Sequence, residues 1–154
     1  MRINVLIFRD ATVDDLHEIA ALLADDDIGA SRESVNDADM KRYETALRAI
    51  AAQPGNRVLL CMDGDEIVGL LQLTLIAGLS RLGMTRAQIE GVRVKRERRG
   101  QRIGERLFEH AIDIARSAGC GLVQLTTDKR RENAKRFYER LGFVATHEGM
   151  KLEL

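Results

Sequence analysis

Apolar positions along this chain recur at spacing two in some stretches and at three to four in others, and the changes of spacing mark its elements. Ile3 to Phe8 is predicted as a strand. Thr12-Val-Asp-Asp15 reads as a capping box with aspartate in the glutamate position. Behind it Leu16, Ile19, Ala20, Leu22 and Leu23 keep helical spacing up to Ala24. The polar stretch 25–35, with Gly29 inside it, is a loop. Asn36 or Asp37 caps a second helix carrying Met40, Tyr43, Leu47 and Ile50, which stops before Pro54-Gly55. Arg57 to Met62 and Ile67 to Ile76 form a hairpin about Asp63-Gly64-Asp65. Gly78 to Arg86 is a loop and Gln88 to Lys95 a strand. Ile103, Leu107, Phe108, Ala111, Ile112 and Ala115 make one helical stripe that ends near Gly119. Leu122 to Thr127 is the next strand, so this βαβ unit brings two strands into parallel register by a right-handed crossover. Arg131 to Leu141 is a further helix stopped by Gly142. Phe143 to Thr146 and Met150 to Leu154 read as a terminal hairpin. The order is β-α-α-β-β-β-α-β-α-β-β: an α/β fold with a mixed, mainly antiparallel sheet flanked by helices on both faces. With no repeat and no linker, residues 1–154 are expected to form a single domain.

Composition changes this picture little. At 45% hydrophobic and 31% charged residues with one proline, the 154-residue chain is ordinary globular protein. Its opening apolar run is too short for a signal peptide and no stretch approaches a membrane span, so the expectation is a cytoplasmic protein with no membrane partner. Cys61 and Cys120 form no CxxC pair and read as small buried hydrophobes. The three histidines are scattered, so no metal site is expected.

Charge adds more. The net charge is zero, yet residues 10–39 hold ten acidic residues against Arg32 alone, whereas residues 93–106 hold seven basic against Glu97 and Glu105. This pattern argues against general nucleic-acid binding and suggests two sites of opposite sign. The basic stretch runs from a strand through a turn with Gly100 and Gly104 into the start of a helix. A helix N-terminus has backbone N–H groups without internal partners and suits a phosphate. Arg99, Arg102 and Arg106 add positive charge there. No Lys-Ser/Thr follows Gly104, which excludes a Walker A loop, and the spacing does not match GxGxxG.

Arg99-Gly-Gln-Arg-Ile-Gly104 resembles the [Q/R]-x-x-G-x-[G/A] signature of the GNAT superfamily of acyl-CoA N-acyltransferases, with Arg102 where the central glycine is usual. Ala134-Lys-Arg-Phe-Tyr-Glu-Arg-Leu-Gly-Phe143 is similar to its A-x-x-F-Y-x-x-x-G-F signature without a mismatch. Phe8 to Leu16 also looks like the family's opening strand and helix, so the resemblance covers nearly the whole chain. It implies a GNAT fold and N-acetyl transfer from acetyl-CoA to a primary amine of a small molecule or peptide, by direct attack on the thioester. It further implies that the amides of Gln101, Arg102, Ile103, Gly104 and Glu105, beside Arg99 and Gly100, bind the pyrophosphate. The backbone of Val92, Arg93 and Val94 would pair with the pantetheine arm, and the Val94 amide would hold the oxyanion. Tyr138 falls where the family's acid lies. An asparagine is common three residues before Ala134; here that residue is Arg131, and Asn133 is the remaining candidate for a cofactor contact. Lys129, Arg130, Arg131 and Arg136 cluster where a 3′-phosphate would lie.

A protonated alkyl amine, with a pKa of about 10.4 in lysine, must lose a proton before it attacks. Glu90 is the candidate base. Alternation puts Gln88, Glu90, Val92 and Val94 on one strand face, where a carboxylate among apolar neighbours is costly unless paired or used. A salt bridge to Arg81 or Arg86 is the competing reading. The resemblance further implies that the two N-terminal helices and the loop between the third and fourth strands border the acceptor; there Asp25-Asp-Asp27, Glu33, Asp37 and Asp39 would form an acidic rim that attracts a cationic amine, whereas Arg32, Arg81 and Arg86 would hold an acceptor's carboxylate. The alternative function is a non-catalytic acyl-CoA-binding sensor or assembly module of the same fold. A homodimer is the assembly allowed for.

Overall fold

The polypeptide turns from its first strand into its first helix on a single carboxylate. In the computed structural model, which describes residues 5–154, the Thr12 N–H donates to Asp15 Oδ2 at 2.8 Å, and Arg9 donates twice to the same group at 2.8 Å. This is the half of the expected capping box that aspartate can supply. Ile3 and Asn4 of the predicted first strand lie outside the described residues. The chain divides into two compact units, one ending at Gln124 and one running from Leu125 to Leu154.

The first unit is a five-stranded sheet in the order β1 (Leu6–Asp10), β2 (Asn56–Asp63), β3 (Glu66–Ile76), β4 (Arg86–Val94) and β5 (Leu122–Gln124). Neighbours are antiparallel except β4 and β5, whose parallel pairing follows from the helix between them. Its helices are α1 (Leu16–Ala24), α2 (Asp37–Ala52) and α3 (Ile103–Ser117). Asn36 caps α2, accepting from the Asp39 amide at 2.9 Å.

Strand alternation sends the apolar residues to two faces, and both are covered. On one face, Leu60, Met62, Ile67 and Leu70 pack with Ile19 and Leu22 of α1. On the other, α3 lies close over β3. A Cβ at Gly69 would sit 3.3 Å from Ile103 and 3.6 Å from Leu107, so glycine lets the helix approach. Leu59, Leu71, Leu73, Ile89, Leu107 and Phe108 are fully buried, each contributing about 1.5–3 kcal/mol of hydrophobic free energy.

Three local expectations are corrected. The ladder between β4 and β5 stops at Gln88–Gln124, so the fifth strand does not reach Thr127. The loop from Gly78 contains a turn, Ser80–Gly83, in which Arg81, Leu82 and Gly83 have φ of 54°, 59° and 76°. No residue type announces this, since a left-handed arginine or leucine costs about 1–2 kcal/mol. The terminal hairpin predicted over Phe143 to Leu154 does not form. No strand occurs there, and Val144, Met150, Leu152 and Leu154 are exposed. Alternation marks a strand only where one face is buried, and a two-stranded ribbon without such a face is marginal.

The second unit holds α4 (Glu132–Arg140). Its end is a Schellman motif: Gly142, at φ 93°, donates to the Glu139 carbonyl at 3.0 Å, and Phe143 donates to that of Tyr138 at 3.0 Å. The Tyr138 and Phe143 rings meet edge-on, with centroids 6.1 Å apart, supplying the apolar contact that accompanies such an ending.

Candidate functional site

The basic stretch folds as a turn that delivers α3 with its first amides open. After β4, a short 3-10 turn at Arg96–Arg98 leads to Gly100 at φ 78° and Arg102 at φ 60°. Arg102 is the N-cap of α3 and is left-handed, and it gives the helix no side-chain cap. The glycine usual at this position in the resembling signature now has a physical reason, since glycine adopts this φ without strain. The first helical bond runs from the Arg106 amide to the Arg102 carbonyl at 3.1 Å. The amides of Ile103, Gly104 and Glu105 therefore start a helix whose dipole favours an anion.

β4, which leads into this turn, carries a bulge. Glu90 is opposite Gln72 and Arg93 opposite Leu70, so three steps on β4 match two on β3. Gly91, at φ 61°, sits within it. The bulge corrects the expected face. Gln88 and Glu90 share one face of the sheet, but Val94, opposite Gly69, has moved to the face under α3 with Ile89. Glu90 is exposed and in no ion pair among the described residues, so neither its expected burial nor the salt bridge to Arg81 or Arg86 is found. Among the described residues β4 has a strand partner beyond Gln88 on the β3 side only, which leaves the edge of residues 89–94 without a strand. Two carbonyls there accept from arginines: Val92 from Arg93 Nη1 at 2.9 Å, and Val94 from Arg99 Nε at 3.4 Å.

Beside Glu90 the sheet face is polar, a feature the sequence reading did not single out. The Asn56 side-chain oxygen accepts from Gln72 at 3.1 Å and from Thr74 at 3.0 Å, and Gln124 donates to Gln88 at 2.8 Å. Asn56, Gln72, Thr74, Gln88 and Gln124 occupy neighbouring register positions with Glu90. The available signal was that polar residues occupy one phase of otherwise apolar strands.

Part of the acidic third closes on the basic stretch, at Asp25, Asp26 and Asp27. Arg96 pairs with Asp25 at 3.1 Å and Asp27 at 3.2 Å, and Arg93 with Asp26 at 3.4 Å. Lys95 pairs with Glu66 at 2.5 Å, and Arg98 with Asp63 and with Glu66 at 2.9 Å. The Lys95 ammonium beside Glu66 holds that carboxyl below the usual range. Glu33 accepts from the Tyr43 hydroxyl, and Asp39 is paired with Arg42 at 3.3 Å. Arg102 reaches Glu105 at 2.6 Å. Among the described residues Arg32, Arg81, Arg86, Arg99 and Arg106 make no ion pair.

Asn133 and Tyr138 belong to the second unit, on α4. Asn133 is exposed and Tyr138 half-buried. Of the expected cationic cluster, Arg130 pairs with Asp128 at 2.7 Å, Lys129 with Glu148 at 3.8 Å and Arg136 with Glu132 at 3.6 Å. The Arg130 guanidinium holds the Asp128 carboxyl well below its ordinary range.

Neither cysteine is a ready nucleophile. Burial pushes the Cys61 thiol up to about 11 and the Cys120 thiol in the same direction. Among the described residues no group of side chains fits a metal ion, and no helix is long and apolar enough to cross a membrane.

The profile of the acetyltransferase (GNAT) family matches residues 16–143. An aminoalkylphosphonate N-acetyltransferase of Salmonella typhimurium is 29% identical over 139 residues, covering 90% of this chain and 85% of that protein. A glucosamine 6-phosphate N-acetyltransferase of Trypanosoma brucei brucei is 33% identical over 123 residues, 79% of this chain and 76% of that protein. Among solved structures, a transcriptional regulator from Bacillus halodurans superposes with a TM-score of 0.93 at 43% identity, over 97% of this chain and 100% of that one. A proposed acetyltransferase from Agrobacterium tumefaciens gives 0.84 at 26% identity, over 96% and 99%.

Proposed function

The chain belongs to the acetyltransferase (GNAT) family and is an N-acetyltransferase; from that premise we propose that it transfers acetyl from acetyl-CoA to a small primary amine that also carries an anionic group. The observation that supports this most is the open edge of β4 running into the uncapped start of α3. An extended amide-bearing arm can pair with residues 92–94, and a pyrophosphate beyond it can accept from the amides of residues 101–105, each such charge-assisted bond contributing about 1.5–3 kcal/mol. Arg99 and Arg106, in no ion pair, add positive charge at the same turn.

Attack is direct, a reading supported by the burial that pushes both thiols up and so disfavours an acyl-cysteine. Glu90, the one carboxylate beside Asn56, Gln72, Thr74, Gln88 and Gln124, takes the proton of the attacking amine, directly or through water. The Val94 amide donates to the oxyanion; for the proton of the leaving thiolate, the match of residues 134–143 to the family's signature makes the Tyr138 hydroxyl the candidate donor.

The electrostatics supports an anionic acceptor. The three aspartates at 25–27 share two arginines, which weakens the acidic rim for a polyamine, whereas Arg32, Arg81 and Arg86 are in no ion pair among the described residues. Both curated relatives named above act on amines bearing a phosphonate or phosphate. Free-thiol release from acetyl-CoA with aminoethylphosphonate, glucosamine 6-phosphate and spermidine tests the proposal. Turnover should be highest with one of the two phospho-amines. Preference for spermidine would refute the anionic acceptor. Binding without turnover for every amine would support a regulatory module instead, a reading with specific ground in the Bacillus halodurans regulator.

A further inference from the structure

One buried pair joins the loop between α1 and α2 to the bulge of β4. Arg93 occupies the first paired position after the bulge, and its side chain is 14% exposed. Nη1 donates to the Val92 carbonyl inside the bulge at 2.9 Å, and Nη2 lies 3.4 Å from Asp26 Oδ2. That same oxygen accepts from the Gly29 amide at 2.7 Å, and the Asp26 carbonyl accepts from Ala30 at 2.7 Å. Asp26 is the one buried charged residue among those described, at 8% exposure. The packing is tight enough that a Cβ on Gly29 would fall 2.4 Å from Asp26 Oδ2 and 3.2 Å from Arg93 Nη2.

Stability alone gives little reason for this arrangement, because well-packed apolar residues often replace a buried ion pair without loss. What the pair adds is direction. It ties one specific bulge carbonyl to one specific turn of the loop. Among the described residues, residues 89–94 lack a strand on one edge, so this guanidinium adds to β3 a second hold on the orientation of the bulge.

We propose that Asp26 and Arg93 are positioning residues for acetyl transfer, holding the α1–α2 loop in register with the stretch of β4 that presents the thioester. This rests on the reading of residues 92–94 as the thioester strand and of the loop as a border of the acceptor. Neither side chain touches a reacting atom. Their effect is on the approach of the amine, and order imposed on the bulge by acetyl-CoA is passed through Arg93 and Asp26 to the Gly29 and Ala30 amides.

The test uses Asp26→Asn, Arg93→Lys and the double variant in the full chain. Acetyl-CoA affinity is read by calorimetry, and kcat and KM for aminoethylphosphonate by thiol release. Misplacement of the amine should lower kcat/KM by roughly ten- to a hundredfold. Acetyl-CoA affinity should change far less, and the double variant should be no worse than the poorer single one. Variants that lose thermal stability but keep kcat and KM in the folded protein would overturn the proposal. The wild type supplies an arm independent of folding in the variants: acetyl-CoA should slow hydrogen exchange at Gly29 and Ala30, and unchanged exchange there counts against the pair. A wild type that releases no thiol with any amine refutes the proposed reaction, while the exchange measurement still decides on the pair.

Discussion

Arg102 combines two roles that its side chain hides. Its backbone is left-handed at the start of α3, and its guanidinium folds back on Glu105 in a largely exposed pair. The left-handed conformation costs about 1–2 kcal/mol for a non-glycine residue, and an exposed pair returns at most about 1 kcal/mol. Replacing Arg102 by glycine should therefore raise stability slightly, by up to about 1 kcal/mol once the greater freedom of glycine in the unfolded chain is counted. A thermal melt showing loss of stability would reject that account. The amide survives in every variant, so Arg102→Ala should weaken acetyl-CoA binding less than Gly104→Val, which puts a branched side chain in the first turn of the helix. The reverse order in a calorimetric titration would contradict the amide-based reading. At Tyr138 the ring and the hydroxyl separate cleanly. The ring packs on Phe143 at the end of α4, so Tyr138→Phe keeps the fold and should lower kcat only, if the hydroxyl is the proton donor. For Glu90→Gln, turnover should fall at neutral pH and recover in part at higher pH, where more of the amine is already deprotonated. Unchanged rates would remove Glu90 from the mechanism.

At the scale of elements, the sequence was most informative where chemistry and local geometry coincide. The capping residues Thr12, Asp15 and Asn36, the stops at Gly119 and Gly142 and the βαβ crossover were all legible, because each depends on neighbours a few residues away. The A-x-x-F-Y-x-x-x-G-F signature proves to be partly a helix ending, with Gly142 and Phe143 closing it, which explains why it was readable before any site was known. The bulge in β4 was not legible. Strict alternation assigned Val94 to the face of Glu90, and only the pairing with β3 shows the extra residue. Gly91 was the available hint. The terminal hairpin failed for the opposite reason, since its alternation was present but no buried face accompanied it. The junction of β1 and α1 offers a pH test. Arg9, followed by the Thr12 amide, holds the Asp15 carboxyl below its ordinary value. A depressed folded-state pKa contributes stability that is present above the unfolded value of about 3.9 and lost as pH falls through the folded one. Asp15→Asn should thus cost about 1 kcal/mol at pH 7, after allowance for screening at the half-exposed Arg9. The difference between variant and wild type should shrink as the pH drops below about 4. Denaturant curves at pH 7 and pH 3 would show it, and a difference independent of pH would exclude the carboxylate as its source.

Charge acts on the scale of the whole molecule, and there the sequence misled most. Acidic and basic residues segregate along the chain, which suggested two opposed sites, yet Asp25, Asp26 and Asp27 meet Arg93 and Arg96 across about seventy positions of sequence. Sequence distance hides such closure, because nothing local requires it. The consequence is chemical. Once those pairs are made, arginines at 32, 81, 86, 99 and 106 remain without carboxylate partners among the described residues, and an anion bound beside them would be attracted locally even though the unit as a whole is not cationic. An anionic acceptor and acetyl-CoA should then both bind less well as salt rises, since exposed charges further apart than a Debye length of about 10 Å at 0.1 M are screened. A cationic amine should show the opposite trend or none. Measuring kcat/KM for aminoethylphosphonate and for spermidine between low and high ionic strength, with acetyl-CoA saturating, separates the two cases. A decline for the phosphonate with a flat or rising response for spermidine follows from the ion pairs described here. A steeper decline for spermidine would mean that carboxylates elsewhere govern the acceptor, and that the arginines serve the donor alone.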